Sequence, residues 1–293
     1  MIQDKKRAFL GKTVSNLLFL MISAACVIPI ILLISVSLSD NGEILQYGYS
    51  LLPRGFNFSA YEYLLKDADK IVQAYKVTIF VTVVGTIGSM LCTVLLAYVT
   101  SRKNFKYKNV ISFLIFFTML FHAGMFPSYY WITNGLHLKD SLAALILPGF
   151  VNAWNILLMR SFFFGIPEEI TEAATIDGCS EWGILFRIVL PLSKAALATV
   201  GLFAILRYFN DWQSSMLYIN DTSKISIQYF LYKTMNNIAA AQSNPASFGS
   251  VEAFPQEPVR MAIAVITIAP IVLVFPFLQK YFVKGITLGS VKG

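Results

Sequence analysis

Six long apolar stretches alternate with more polar connections along the chain, and their lengths predict its architecture. The stretches cover residues 14–38, 77–100, 110–131, 140–160, 196–217 and 259–283. Each is long enough to cross about 30 Å of hydrocarbon as an α-helix. The pattern therefore predicts an all-α, polytopic membrane protein in which six transmembrane helices form one domain over residues 1–293.

Composition supports a membrane protein. The chain has 56% hydrophobic and 13% charged residues, well below the roughly one quarter of charged residues that is usual in soluble proteins. The first stretch can also be interpreted as a signal peptide, because Lys5 to Lys12 is basic and Ser35-Val36-Ser37 offers small residues for cleavage. Its apolar run of about 25 residues exceeds a typical signal-peptide core, which favours an uncleaved anchor.

The distribution of basic residues predicts the orientation of the spans. Lysine and arginine cluster before the first stretch, between the second and third, and after the sixth: Lys5, Lys6, Arg7, Lys12, Arg102, Lys103, Lys106, Lys108, Lys280, Lys284 and Lys292. The positive-inside rule then places both termini, the basic connection of residues 101–109 and the polar segment of residues 161–195 in the cytoplasm. This topology and anionic lipid explain the net charge of +7, and the pattern calls for no nucleic acid partner.

The polar segment of residues 161–195, called the cassette below, predicts two short helices. Pro167 suits the first turn of a helix over about residues 167–177, and Gly178 suits its end. Ser180 can cap a second helix, which Pro191 then interrupts. One apolar face of that helix is predicted from residues at helical spacing, namely Trp182, Leu185, Phe186 and Val189.

The cassette also matches a spaced motif. Its fixed positions are Glu172, Ala173, Ala174, Gly178, Ile188, Leu190 and Pro191. They resemble the EAA loop of permease subunits in ATP-binding-cassette importers, which implies that the cassette binds a cytoplasmic ATPase. The two alanines keep the first helix low in profile, while Glu172 and Asp177 supply charged contacts at its edge. The alternative is an amphipathic surface hairpin without a partner.

The sequence lacks the motifs of an enzyme. It has no G-x-x-x-x-G-K-[ST] phosphate loop, no metal-ligand pattern and no nucleophile motif within a span. We therefore predict no cofactor in this chain and no catalysis by it. The resemblance implies that ATP and Mg²⁺ are bound by partner ATPase subunits.

The fifth stretch carries unusual polar residues. Arg207, Asn210, Asp211 and Trp212 lie in an otherwise apolar segment, and an ionisable residue at membrane depth indicates a cavity or an ion pair. Arg207 and Asp211 are four residues apart, so a structural ion pair on one helix face is one interpretation. The other is that Asn210, Asp211 and Trp212 line a translocation path by binding hydroxyl groups and stacking on a sugar ring.

Two further observations concern this path. The Asn210-Asp211 pair resembles an Asn-Asp pair found in this span of sugar-importer permeases. A second set of the same kind lies in the fourth stretch and includes Asn152 and Trp154.

Over nearly the whole chain the resemblance is to the maltose-type, type I importer permeases for carbohydrates. It rests on Leu52-Pro53 to Tyr61, residues 166–178, Asn210-Asp211 and the tail of residues 283–293. The tail is most similar to the branch that handles complex oligosaccharides, such as fragments of alginate or pectin. In that family the tail is expected to lie extended between the ATPases.

The resemblance implies alternating access in the bacterial cytoplasmic membrane. The expected partners are a second permease subunit, two ATPase subunits, an extracytoplasmic solute-binding protein and a sugar. Two alternatives are an importer permease for a non-sugar solute and an ion-coupled secondary transporter. A secondary transporter calls for internal repeats and for broken helices with ion ligands at the midplane, which the sequence does not indicate.

Overall fold

The protein is described by a computed structural model that covers the backbone of residues 2–243 and 256–290. In that part of the chain the α-helices are α1 (Ile2–Ser37), α2 (Asn41–Tyr47), α3 (Ser59–Leu65), α4 (Ala68–Ser101), α5 (Lys108–Leu120), α6 (Met125–Tyr130), α7 (Leu142–Ile146), α8 (Ala153–Phe164), α9 (Glu168–Ile176), α10 (Glu181–Ile184), α11 (Leu190–Leu192), α12 (Lys194–Phe209), α13 (Gln213–Tyr218), α14 (Ile227–Ser243) and α15 (Gln256–Ser290). Trp131–Gly135 and Leu185–Val189 are π-helical, and Leu147–Gly149 and Thr222–Lys224 are 3-10 turns. These residues contain no β-strand, which confirms the all-α prediction for them.

Three single helices are long and apolar enough to cross a membrane. They are Lys12–Ser37 within α1, the whole of α4, and Gln256–Leu273 within α15. Three bent helix pairs bring the number to six among the described residues if each pair is one span. The pairs are Lys108–Leu120 with Met125–Gly135, bent by 115°, Leu142–Gly149 with Ala153–Phe164, bent by 42°, and Glu181–Leu192 with Lys194–Phe209, bent by 84°.

Helix breaks within the third, fourth and fifth stretches correct the prediction that each stretch is one continuous helix. In the third, α5 ends at Leu120 and the chain turns at Gly124, whose φ of +87° is readily adopted only by glycine. In the fourth, Pro148 lies in a 3-10 turn that ends α7. In the fifth, α12 ends at Phe209, so residues 210–212 form a connection instead of a helical turn.

Two compact units make up the chain, residues 1–68 with 233–270 and residues 69–232 with 271–293. In the first unit, Asp40 caps α2 and Tyr49 donates a hydrogen bond to Glu257 Oε2 at 2.7 Å. That bond to a carboxylate raises the pKa of Tyr49 above its ordinary value of 10.0. The contact fixes the connection after α2 to the start of α15.

The core of the second unit joins the cassette to the spans. Its buried side chains come mainly from α4, α8, α12 and the second helix of the cassette, and they include Ala97, Ile156, Met159, Ile184, Leu185 and Val200. All six are at most 1% exposed. The cassette is therefore packed into the helical bundle along one side, and a displacement of the cassette would be transmitted to three spans.

Tyr208 fixes the position of α12 against two neighbouring segments. Its side chain is 5% exposed, and its hydroxyl donates a hydrogen bond to the carbonyl oxygen of Ile146 at 2.9 Å. A Cβ atom placed on Gly85 of α4 would lie 2.6 Å from the Tyr208 ring, and one on Gly149 would lie 2.4 Å from its hydroxyl. The small residues at these positions therefore permit close packing between spans.

The tail of residues 283–293 departs from the expected extended conformation. Its backbone is helical as far as Ser290, where α15 ends. Residues 291–293 lie outside the described residues, as do residues 244–255 in the connection that precedes α15.

Candidate functional sites: the cassette and the ends of the bent spans

The first helix of the cassette, α9, presents a small exposed face. Thr171 and Ala174 are buried, at 5% and 7% exposure. The exposed residues around the end of the helix are Glu172, Ala173, Thr175 and Ile176, followed by Asp177 and Gly178. Ile176 is 86% exposed, so a large aliphatic side chain lies next to the small side chain of Ala173. Glu172 and Asp177 add carboxylates to the same region. Such a face suits a partner protein, because water contacts the apolar side chain at a cost in the isolated chain.

A complete hydrogen-bonded cap ends α9. The amide of Cys179 donates to the carbonyl of Ala174 at 2.9 Å, and the amide of Gly178 donates to that of Thr175 at 3.0 Å. This is the Schellman arrangement, which needs a left-handed residue just beyond the helix. Gly178 supplies it with a φ of +81°, so the predicted role of Gly178 as a helix stop is confirmed.

The second helix of the cassette begins as predicted. Ser180 accepts a hydrogen bond from the amide of Gly183 at 3.2 Å. The helix continues through Pro191 to Leu192, however, and the chain bends only at Ser193. A π-helical turn precedes Pro191, in which the amide of Leu190 donates to the carbonyl of Leu185 five residues before it. This wider turn accommodates a residue that lacks an N–H group.

The predicted apolar face of this helix is only half correct. Leu185 and Val189 are buried, but Trp182 and Phe186 are 62% and 55% exposed. Ile184 is buried in their place, in the core that α4, α8 and α12 form. The two aromatic rings stack on each other with centroids 6.0 Å apart. Of the remaining motif residues, Ile188 and Leu190 are half-buried against the core, and Pro191 is exposed.

The basic connection pairs with the acidic residues of the cassette. Lys103 forms an ion pair with Glu168 at the start of α9, and this bond raises the pKa of Lys103 above its ordinary value. Arg102 Nη2 lies 3.4 Å from Glu181 Oε2 at the start of α10. The hydroxyl of Tyr98 also bonds to Glu181, at 2.5 Å. Both cassette helices are therefore held at their first turns by the end of α4 and the connection after it.

Sequence reasoning missed these contacts, although their signal was present. The connection contains four bases and no acid, while the first turns of α9 and α10 carry acids that would otherwise be unpaired. Beside the contacts lies an open cavity of about 590 Å³, whose lining includes Lys103, Glu172 and Ile176. The exposed face of α9 thus borders a hollow in the surface.

The polar residues of the fifth stretch do not form the predicted ion pair. Arg207 Nη1 lies 3.5 Å from the carbonyl oxygen of Gly149, while Asp211 Oδ1 accepts a hydrogen bond from the amide of Ser214 at 3.0 Å. Asp211 follows the end of α12, so its carboxylate is directed to the first turn of α13 instead of back toward Arg207. The prediction assumed a helix that in fact ends at Phe209.

Asn210 and Trp212 lie beside residues of α14 that the sequence reasoning did not select. Gln228 Nε2 lies 3.5 Å from Asn210 Oδ1. The ring of Tyr232 stacks on Trp212 with centroids 4.3 Å apart, and the two side chains are 40% and 37% exposed. Gln228 and Tyr232 are four residues apart and therefore lie on one face of α14, which is the sequence signal that could have identified them.

The second candidate set has a mixed outcome. Asn152 Oδ1 accepts a hydrogen bond from the amide of Asn155 at 2.9 Å, so Asn152 caps α8. Trp154 is 59% exposed. Asn152 thus has a structural task that the sequence reasoning did not assign, and Trp154 is the side chain of this set with a free surface.

Comparison with known proteins identifies the family. Residues 7–288 match the family described as "Binding-protein-dependent transport system inner membrane component". The chain belongs to this family. It is 40% identical to the polygalacturonan/rhamnogalacturonan transport system permease protein YtcP of Bacillus subtilis, over 94% of this chain and 95% of that protein. It is 37% identical to protein LplC of the same organism, over 96% and 94% of the two chains.

A solved structure agrees with this assignment. The chain matches part of a bacterial ABC transporter involved in the import of the acidic polysaccharide alginate, with a TM-score of 0.78 and 33% identity over 93% of this chain and 96% of that one. The predicted type I importer fold is therefore confirmed at the level of the helical fold.

As a member of this family, the chain is the membrane permease component of an ABC importer and not its ATPase. This confirms the prediction, made from the resemblance of the cassette to the EAA loop, that the chain is a permease subunit of an ATP-binding-cassette importer. Three bent helix pairs are present among the described residues, so broken helices, one feature expected of a secondary transporter, do not by themselves separate the two classes. Family membership, instead, decides between the two classes.

Proposed function

We propose that this permease imports oligosaccharides that an extracytoplasmic binding protein delivers. Its relatives include the polygalacturonan/rhamnogalacturonan permease and an arabinooligosaccharide permease, AraQ of Bacillus subtilis, which is 28% identical over 95% of this chain. The exposed ring pair of Trp212 and Tyr232 supports the proposal, because aromatic faces stack on sugar rings while adjacent amides bind hydroxyl groups.

The exposed face of α9 is the observation that carries the coupling role. Ala173 and Ile176 offer a close apolar contact to an ATPase subunit, and Glu172 and Asp177 offer charged contacts around it. Ala174 contributes to coupling indirectly, since it is buried and packs α9 against the core. When the ATPases close, they push on this face, and the packed second helix of the cassette transmits the movement to α4, α8 and α12.

The assembly follows the family. One permease subunit with one cassette pairs with a second permease, and two ATPase subunits bind the two cassettes. The six spans form a single domain over residues 1–293 in the bacterial cytoplasmic membrane, with both termini and the cassette of residues 161–195 in the cytoplasm. The lysines and arginines of the basic connection support this orientation.

The polar residues at the ends of the bent spans have two proposed roles, contact with the sugar and positioning of the residues that contact it. Asn210 and Trp212 contact the sugar, with Trp154 as a further contact along the path. Asp211 and Asn152 position these contacts, since Asp211 accepts a hydrogen bond from the first turn of α13 and Asn152 caps α8.

The proposal is tested by ATP hydrolysis of the purified complex with its binding protein. We expect that binding protein loaded with an oligosaccharide stimulates hydrolysis, and that unloaded binding protein does so much less. Asn210→Ala and Trp212→Ala should assemble normally but lose sugar uptake. Stimulation by a non-sugar solute alone, across a panel that includes oligosaccharides, would overturn the substrate assignment.

A further inference from the structure

Arg207 is a cation without a carboxylate partner in the described part of the chain. It lies in the last turn of α12, and its side chain is exposed. Within the described residues it makes one long hydrogen bond, from Nη1 to the carbonyl oxygen of Gly149 at 3.5 Å, which is at the outer limit of a hydrogen bond. Asp211, the carboxylate four residues away, is occupied by the amide of Ser214. Most of the five donors of this guanidinium therefore remain available.

Arg207 adjoins the polar and aromatic residues described above. Asn210 follows it by three residues, so the two lie on one side of the helix end. Asn210 is linked to Gln228, and Tyr232, one turn further along α14, stacks on Trp212. We call these five residues the polar–aromatic strip. A cation, two amides and two rings thus follow one another along it.

The helix dipole alone does not explain this residue. A positive charge is favourable near the C-terminus of α12, but a lysine would serve that purpose equally well. A charged residue in a span is costly unless it faces water or a partner charge. The planar fork of arginine differs from lysine in that it binds both oxygens of a carboxylate at once. The available donors of Arg207 lie near Asn210 and Trp212, which we propose contact the sugar, so they are suited to bind a carboxylate of that sugar.

We propose that Arg207 binds a carboxylate of the transported sugar, so that this permease selects oligosaccharides that contain uronic acid residues. The inference rests on the proposed function and adds the residue that recognises the charge of the substrate. In this arrangement the rings of the strip contact a sugar face, the amides bind hydroxyl groups, and Arg207 pairs with the carboxylate at C6 of a uronate unit.

The test uses the whole complex reconstituted in vesicles, with trigalacturonate and its fully methyl-esterified form as probes. The two sugars have the same length and differ in charge. Uptake is normalised to the fraction of binding protein that is loaded with each sugar, so that selection by the binding protein is removed. We expect Arg207→Gln to lower uptake of trigalacturonate by about tenfold, the loss typical of a hydrogen-bonded charged group, and to change uptake of the ester by less than about twofold.

Two control variants sharpen the result. Arg207→Lys keeps the charge but not the fork, and should give an intermediate loss for trigalacturonate. Arg54→Gln removes an exposed arginine from the other unit, where it contacts the Tyr47 ring, and should leave the ratio of the two uptake rates unchanged.

The outcomes separate the two levels of the proposal. If wild-type complex imports neither sugar, although its binding protein is loaded, both the proposed function and this inference are overturned. If wild-type complex imports trigalacturonate but Arg207→Gln affects both sugars equally, or neither, the inference alone is wrong. An equal loss with failed assembly would identify Arg207 as a structural partner of another subunit.

Discussion

Gly178 meets a backbone requirement that no other residue of the cassette meets. It ends α9 with a φ of +81° and allows the chain to reach Ser180, the cap of the next helix. No atom lies within 4 Å of a Cβ placed on it, so space is not the constraint. A side chain there is opposed by the left-handed conformation alone.

We expect Gly178→Val to uncouple sugar uptake from ATP hydrolysis. The left-handed backbone costs a non-glycine residue about 1–2 kcal/mol, which is enough to shift α9 and to lower uptake by about tenfold. Gly183→Ala is the matched control, because its Cβ would make an ordinary contact 3.5 Å from Ser180 Oγ. Gly178→Asn should retain more activity, since asparagine tolerates this conformation. Full uptake by Gly178→Val with a co-purifying ATPase would show that the cap has no role in coupling.

Gly85 provides a second test at the residue scale. A Cβ there would lie 2.6 Å from the buried Tyr208 ring, whose hydroxyl is held by Ile146. Gly85→Ala should therefore destabilise the protein by about 1–3 kcal/mol through overpacking. At Gly201 the nearest atoms, in Met90, would be 3.9 Å away, so Gly201→Ala should be neutral. Thermal unfolding of the two variants in detergent checks this, and equal midpoints would refute the packing role of Gly85.

Single-residue roles were predictable where the signal is local. Gly178 and Ser180 were assigned correctly, because caps depend on residues only a few positions away. The role of Asp211 was not, because it depends on where α12 ends. Arg207 and Asp211 fit an ion pair at a spacing of four only on a continuous helix, and that helix stops between them.

At the scale of elements, the basic connection fastens the cassette to α4. Lys103 pairs with Glu168 and Arg102 with Glu181, at the first turns of α9 and α10. Exposed ion pairs of this kind contribute little to stability, because water and salt screen them. Their importance is geometric, because they hold both cassette helices by one connection.

Reversing one charge of this connection should reduce coupling without unfolding the protein. Lys103→Glu places two carboxylates together, and we expect less sugar transported per ATP hydrolysed. Adding Glu168→Lys restores the pair and should restore the ratio. Lys106→Glu is the control, since the Lys106 ammonium lies over the Tyr107 ring, 5.7 Å from its centroid. If the double variant is no better than Lys103→Glu, the pair is not the cause.

The pH dependence of this pair has a definite sign. Glu168 raises the pKa of Lys103 above 10.5, so the stabilisation is fully present below that pH and is lost only as the pH rises through the raised value. Coupling should therefore show no dependence on Lys103 titration near neutral pH. A loss of coupling near neutral pH that Lys103→Arg abolishes would contradict this.

Element faces were less predictable than element positions. Both cassette helices were located from caps and spacing, but the apolar face of the second was assigned wrongly in half of its residues. Trp182 and Phe186 have the helical spacing of a buried face, yet they are exposed. Ile184 is buried instead, because the face that a helix buries depends on the shape of the neighbouring helices. The spacing of apolar residues along one helix does not give that shape.

On the scale of the whole molecule, hydropathy located the spans but not their bends. A sum of hydropathy over a stretch depends on composition and is insensitive to the direction of the backbone, so the pairs bent by 115° and 42° were predicted as single spans. The two members of the pair bent by 84° were predicted as separate helices, the second helix of the cassette and the fifth span. Local signals were available in Gly124 and Pro148, which disfavour a straight helix. The end of α12 at Phe209 had no comparable signal.

The central claim is that this chain belongs to an ATP-driven importer and not to an ion-coupled transporter. Bent spans with polar residues at their ends occur in both kinds of transporter, so the geometry of residues 207–212 alone does not distinguish them. Family membership does, because it makes the chain a permease component of a binding-protein-dependent importer. The energy source of transport is thus the property to measure.

The most direct measurement is uptake of labelled oligosaccharide into vesicles that contain this chain with its partner permease and ATPase subunits. ATP is enclosed with the ATPases, and loaded binding protein is added on the other side. We expect uptake to require ATP, binding protein and this chain together, and to persist when ionophores abolish proton and sodium gradients. Uptake that proceeds without ATP and stops when those gradients are removed would contradict the assignment of this chain as an ABC importer permease.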